Sequence, residues 1–81
     1  MTSSVNQPPA GGESEMLKSG AQGPKVKELQ RALQRKGISA GAIDGAFGPK
    51  TEDAVKEYQK REGLVSDGIA GPATLGSLGL V

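Results

Sequence analysis

The chain has 81 residues, a formal net charge of +1, and neither Cys nor His. This length accommodates one domain, and so small a charge does not identify a partner. The missing thiols and imidazoles exclude disulfide scaffolds, the usual zinc sites and catalysis by His or Cys, so we expect no metal and no cofactor. Phe47 and Tyr58 are the only large rings, so the core is expected to be mainly aliphatic.

The N-terminal residues 1–15 are rich in Ser, Pro, Gly and Glu and carry almost nothing to bury. We interpret them as a disordered tail or linker, and residues 16–81 as the folded domain. The tail lacks the basic and apolar regions of a secretory signal, and no segment is apolar for long enough to span a bilayer. The protein is therefore expected to stay inside the cell, to leave by another route, or to be one piece of a longer chain.

Three short helices are predicted, over about 24–36, 49–62 and 72–78. Each begins at a Pro that follows a Gly, which is a favoured helix start. Apolar residues recur at helical spacing within each segment, giving one stripe for the core. The first two helices end at Gly37 and Gly63, each followed by an apolar residue that can close a Schellman-type end.

An eight-residue pattern introduces the second and third helices. It reads Asp-Gly-x-x-Gly-Pro-x-Thr at Asp44–Thr51, the first corner, and again at Asp67–Thr74, the second corner. Asp-Gly predicts a tight turn, because Asp bonds nearby amides and Gly accepts a positive φ. A fainter copy at 20–26 precedes the first helix. The sequence therefore predicts an all-α, small three-helix bundle whose helices follow repeated corners.

A second repeat lies inside the helices, where Val26–Gln30 and Val55–Gln59 share the pattern V-K-E-[LY]-Q. In both copies a Gln follows a large core residue at the edge of the apolar stripe. We interpret this Gln as satisfying the backbone of a neighbouring loop, since buried polar groups need hydrogen-bond partners. A ligand-binding role for either Gln is the alternative.

Together these patterns resemble the three-helix peptidoglycan-binding domain of bacterial and phage cell-wall hydrolases, over Leu17 to Leu78. The resemblance implies a non-catalytic module that holds a fused amidase, peptidase, muramidase or transglycosylase on peptidoglycan (murein). It implies action at the cell wall or in the periplasm, and we expect a monomer. Two departures are Tyr58, where Phe is commoner, and the segment 39–43, which lacks an aromatic residue.

Helix N-termini suit the carboxylates and carbonyls of a murein fragment, because they offer unpaired N–H groups. If the two corners converge, they would frame a shallow cleft. The candidate ligand-binding residues are Asp44, Gly45, Phe47, Thr51, Tyr58, Gln59, Asp67, Gly68 and Thr74.

These candidates also have structural interpretations. The two Asp residues can fix their own turns, the two Thr residues can cap or pack, and Phe47 can fill the core. Tyr58 is the stronger ligand candidate of the two aromatics, because its ring can pack while its hydroxyl reaches solvent.

The sequence bears on three other functions. A glycosidase needs two carboxylates, one with a raised pKa. Asp44 and Asp67 are the available pair, but each is already expected to fix its own turn, so we expect no catalytic residue. The basic first helix superficially resembles those of DNA-binding domains, but acids interleave the bases of the second helix, so no nucleic acid is expected. A protein-docking or pro-segment-like role on the same fold is the main alternative.

Overall fold

The computed structural model describes residues 16–80, and in that range the fold consists of three helices. They are α1 (Pro24–Arg35), α2 (Pro49–Arg61) and α3 (Pro72–Ser77). The predicted all-α fold is confirmed, and each helix ends one residue before its predicted end, because Lys36, Glu62 and Leu78 are C-caps. The predicted tail, residues 1–15, and Val81 lie outside the described residues.

The core forms where the apolar stripes of the helices meet. Val26, Leu29, Leu33 and Val55 are completely buried, and Leu75 is 1% exposed. Full burial of such a side chain stabilises the fold by roughly 1.5–3 kcal/mol relative to an exposed position. The rest of the buried apolar cluster is Leu17, Ala32, Ile38, Ala40, Phe47, Ala54, Tyr58, Ala70 and Leu78. The core is therefore mainly aliphatic, as predicted, and both rings lie inside it.

All three helices end in the same way. Gly37, Gly63 and Gly79 follow the three C-caps with φ of 81°, 73° and 78°, a left-handed conformation that glycine adopts without strain. After α1, the Ile38 N–H donates to Leu33 O at 3.0 Å, and the equivalent bonds after α2 and α3 measure 2.8 and 2.9 Å. These are Schellman ends, predicted for the first two helices and present in all three.

A short segment, residues 17–22, links the two corners and contains a tight turn, in which the Ala21 N–H donates to Lys18 O at 2.9 Å. Leu17 pairs with Ala70 of the second corner, through backbone bonds of 3.0 and 2.8 Å, and Gln22 pairs with Ala46 of the first. Both contacts are isolated antiparallel bridges, and the structure assigns no longer strand in residues 16–80. One short segment thus holds both corners against the helices.

No helix in residues 16–80 is long and apolar enough to cross a membrane.

Candidate functional site

The first corner is held by the side chain of Gln30, which is 1% exposed on α1. Its Nε2 donates to Asp44 Oδ1, Ala46 O and Thr51 Oγ1, each at 3.1 Å. Its Oε1 accepts the Gly45 N–H at 3.0 Å. One glutamine therefore ties the turn, the chain after it and the first turn of α2 to the middle of α1.

The second corner repeats this arrangement around Gln59 of α2. Nε2 donates to Asp67 Oδ1 at 3.1 Å, Ile69 O at 2.9 Å and Thr74 Oγ1 at 3.0 Å. Oε1 accepts the Gly68 N–H at 3.0 Å. We call each set of bonds a glutamine clamp. The interpretation of both Gln residues as partners for a loop backbone is confirmed.

Two aspartates complete the turns. Asp44 Oδ1 accepts the Ala46 N–H at 2.9 Å, and Asp67 Oδ1 accepts the Ile69 N–H at the same distance. Their turn-fixing role is therefore confirmed. Both side chains are exposed.

These bonds lower the pKa of both carboxyl groups. The Ala46 N–H, followed by the Gln30 amide, lowers the pKa of Asp44 below its ordinary value. For Asp67 the Ile69 N–H lowers the pKa most, desolvation opposes it, and the Gln59 amide lowers it further. A glycosidase acid needs a raised pKa, so neither carboxyl group suits that role.

The corner glycines are buried, and their N–H groups are bonded inside the fold. Gly45 and Gly68 are buried, with φ of 79° and 77°. A Cβ on Gly68 would lie 2.9 Å from Glu52 Cγ and 3.1 Å from Lys56 Cε. Their N–H groups already donate to the clamps. The N–H groups of Gly45 and Gly68 are therefore used inside the fold, and ligand binding at the N-termini of α2 and α3 stays a prediction.

Both aromatic candidates are also inside the fold. Phe47 is 3% exposed and belongs to the core cluster. Tyr58 is 2% exposed, and its hydroxyl lies 2.6 Å from Ser77 Oγ. The expectation that this hydroxyl reaches solvent is wrong, because α3 supplies its partner.

Two of the nine candidate residues, Asp44 and Asp67, are exposed side chains. Among the buried seven, Gly45, Thr51, Gln59, Gly68 and Thr74 belong to the clamps, and Phe47 and Tyr58 to the core. The structure therefore brings the candidates together as two separate networks, each with one carboxylate at the surface.

Each corner lies beside its own surface groove. The first groove is lined by Gln30 and by residues 40–42, 44, 46 and 48–51. The second is lined by Gln59 and by residues 63–65, 67, 69 and 71–74. Neither is lined by both corners, so the expected single cleft is replaced by two grooves at equivalent places in the repeat. No cluster of three or more acidic residues that could hold a metal ion occurs in residues 16–80.

Sequence reasoning left two parts of this site off the candidate list. Gln30 makes the same bonds as Gln59, and the V-K-E-[LY]-Q repeat was the signal that could have added it. The groove wall formed by residues 40–42 carries no motif, and Gly63 and Leu64 of the other wall were predicted only as the end of a helix. The position of both walls depends on how each loop folds back beside its corner.

The chain resembles known proteins over most of its described length. The profile of a family described as a putative peptidoglycan binding domain matches residues 22–78. The amidase CwlM of Mycobacterium tuberculosis is 48% identical over 56 residues, which are 69% of this chain and 14% of that protein. The zinc D-Ala-D-Ala carboxypeptidase of Streptomyces albus G is 47% identical over 64 residues, 76% of this chain and 25% of the relative.

A solved structure shows a similar match over part of its length. The Burkholderia AP3 phage endolysin superposes with a TM-score of 0.76 at 44% identity, covering 79% of this chain and 24% of the endolysin. The chain thus spans about a quarter or less of each of these three proteins.

Proposed function

The chain belongs to the peptidoglycan-binding domain family, and we propose on that premise that it is a non-catalytic module that holds a cell-wall hydrolase on peptidoglycan. The family match over residues 22–78 carries this proposal, because it encloses both glutamine clamps and both grooves. The domain would act as a monomer, at the cell wall or in the periplasm.

The relatives support an attached or partner hydrolase. Two are named as enzymes that would act on wall peptides or their link to the glycan, and a third is a phage endolysin. This chain matches a minor part of each, which fits an accessory domain beside a separate catalytic unit.

We propose that Asp44 and Asp67 contact the wall polymer directly. Both are exposed, and each Oδ1 is already used inside its turn. The five candidates in the clamps then act as positioning residues that fix where each carboxylate points, and Phe47 and Tyr58 pack the core beneath them. One shallow groove binds weakly, and the closely repeated units of the wall would supply avidity.

Co-sedimentation of the 81-residue chain with insoluble peptidoglycan tests this function. We expect the folded chain to pellet with the polymer and to release no soluble fragments from it. A folded chain that stays in the supernatant would refute wall binding and favour a protein-docking role. Sustained release of fragments would contradict the non-catalytic assignment.

A further inference from the structure

The two grooves share one clamp geometry but differ consistently in their walls. Two positions that carry branched apolar side chains in the second groove carry Ala in the first. The equivalent pairs, counted from the Asp of each corner and with the second groove first, are Val65 and Ala42, and Ile69 and Ala46. A third pair reverses the polarity, since Ala73 stands where the first groove has Lys50. The wall of the first groove therefore consists of small residues and a lysine, whereas the wall of the second groove is apolar.

The core does not account for these two apolar residues. Val65 and Ile69 belong neither to the core cluster nor to the residues packed against it. Val65 is 79% exposed, and Ile69 is partly exposed. Exposed apolar surface contributes nothing to folding stability, so their presence beside a groove is consistent with a role in binding.

A hydrogen-bond acceptor lies beside this apolar wall. Asp67 Oδ1 accepts both bonds that hold the turn, from Gln59 Nε2 and the Ile69 N–H. Within residues 16–80, the bonds that other residues donate to the Asp67 carboxylate both reach Oδ1, so Oδ2 has no donor from another residue. An ionised carboxylate only accepts hydrogen bonds, so this oxygen suits an N–H donor from a ligand. The groove thus offers an apolar surface and an acceptor next to each other.

We propose that the second groove is a subsite for a methyl-bearing secondary amide of the wall polymer. The methyl group packs on Val65 and Ile69, and the amide N–H donates to Asp67 Oδ2. This inference rests on the proposed function. Peptidoglycan carries that group in two places, the acetamido substituents of its sugars and the alanyl units of its stem peptides. The first groove lacks the apolar wall and does not serve this role.

Two soluble probes separate the sources. Amide chemical shifts of the full chain would be followed during titration with chitotetraose, which has acetamido groups and no peptide. A second titration would use N-acetylated D-alanyl-D-alanine amide, which has alanyl units and no sugar. We expect one or both probes to shift the amides of Val65, Asp67 and Ile69, with little change at Ala42 and Ala46. Equal shifts in both grooves, or none in the second with either probe, would overturn the inference.

A matched pair of variants tests the apolar wall on the natural polymer. Val65→Ser removes the exposed methyls, and Gln34→Ser places the same residue at an exposed position of α1 that lines neither groove. Loss of these contacts should weaken co-sedimentation of Val65→Ser roughly fivefold, while Gln34→Ser stays at the wild-type value. Both variants should keep the wild-type thermal midpoint, because both positions are exposed.

The results distinguish this inference from the proposed function. If Val65→Ser binds peptidoglycan as tightly as the wild type, the subsite is wrong and the wall-binding function stands. If the folded wild-type chain does not sediment with peptidoglycan, the proposed function itself fails.

Discussion

At the scale of single residues, Gln59 has the largest predicted effect on stability. Gln59→Leu leaves the buried Gly68 N–H without its acceptor and removes three donated bonds. We expect a loss of about 2–3 kcal/mol in the free energy of unfolding, measured by urea denaturation. Gln34→Leu, at an exposed position of α1, is the matched control and should change stability by less than about 0.5 kcal/mol. Equal effects of the two substitutions would contradict the clamp.

The two exposed carboxylates should make the stability of the fold depend on pH in the acidic range. The pKa values of Asp44 and Asp67 are lowered from 3.8 by folding. Their stabilising contribution is therefore complete above the ordinary Asp range and is lost as the pH falls through the folded-state pKa. We expect the urea midpoint of the wild type to fall between about pH 6 and pH 3 more than that of the double variant Asp44→Asn, Asp67→Asn.

The double variant is a close control, because Asn keeps an acceptor oxygen for each turn but cannot be protonated in this range. Parallel pH profiles for the two proteins would contradict the pKa assignment.

At the scale of helices, Tyr58 connects α2 to α3. Tyr58→Phe keeps the ring in the core and removes the 2.6 Å contact with Ser77. We expect a cost of about 0.5–1.5 kcal/mol in thermal or urea unfolding, and no change in peptidoglycan binding. Weaker binding by a variant of unchanged stability would instead assign the hydroxyl to the ligand.

The helices themselves were predictable because their signals are local. Gly-Pro marks each start, the apolar spacing marks each buried face, and Gly37 and Gly63 mark two of the ends. The partner of the Tyr58 hydroxyl was not predictable, because Ser77 lies 19 residues away and reaches it only when α3 packs on α2.

The site was predictable in part for a related reason. The repeated Asp-Gly and Gly-Pro corners identified the right segments, and the repeated Gln indicated a partner for the backbone. Gln30 and Gln59 accept the N–H groups of Gly45 and Gly68 because each helix packs close to its corner. The sequence alone does not show that packing, and therefore did not show that these two N–H groups are used inside the fold.

At the scale of the whole molecule, the domain boundary at residue 16 remains a prediction. The described core cluster runs from Leu17 to Leu78. Deleting residues 1–15 should therefore leave the thermal midpoint and peptidoglycan co-sedimentation unchanged, as measured beside the full chain. Loss of cooperative unfolding in the shortened chain would place the boundary earlier in the sequence.

The central claim is that this domain binds peptidoglycan through the surfaces beside its two clamped corners. The most direct measurement is an amide-shift titration of the full chain with a soluble disaccharide–tetrapeptide fragment of peptidoglycan. We expect saturable shifts in segments 40–51 and 63–74, and none on the exposed face of α2 around Lys56 and Lys60. Absence of any shift, or shifts confined to that α2 face, would contradict peptidoglycan binding beside the corners.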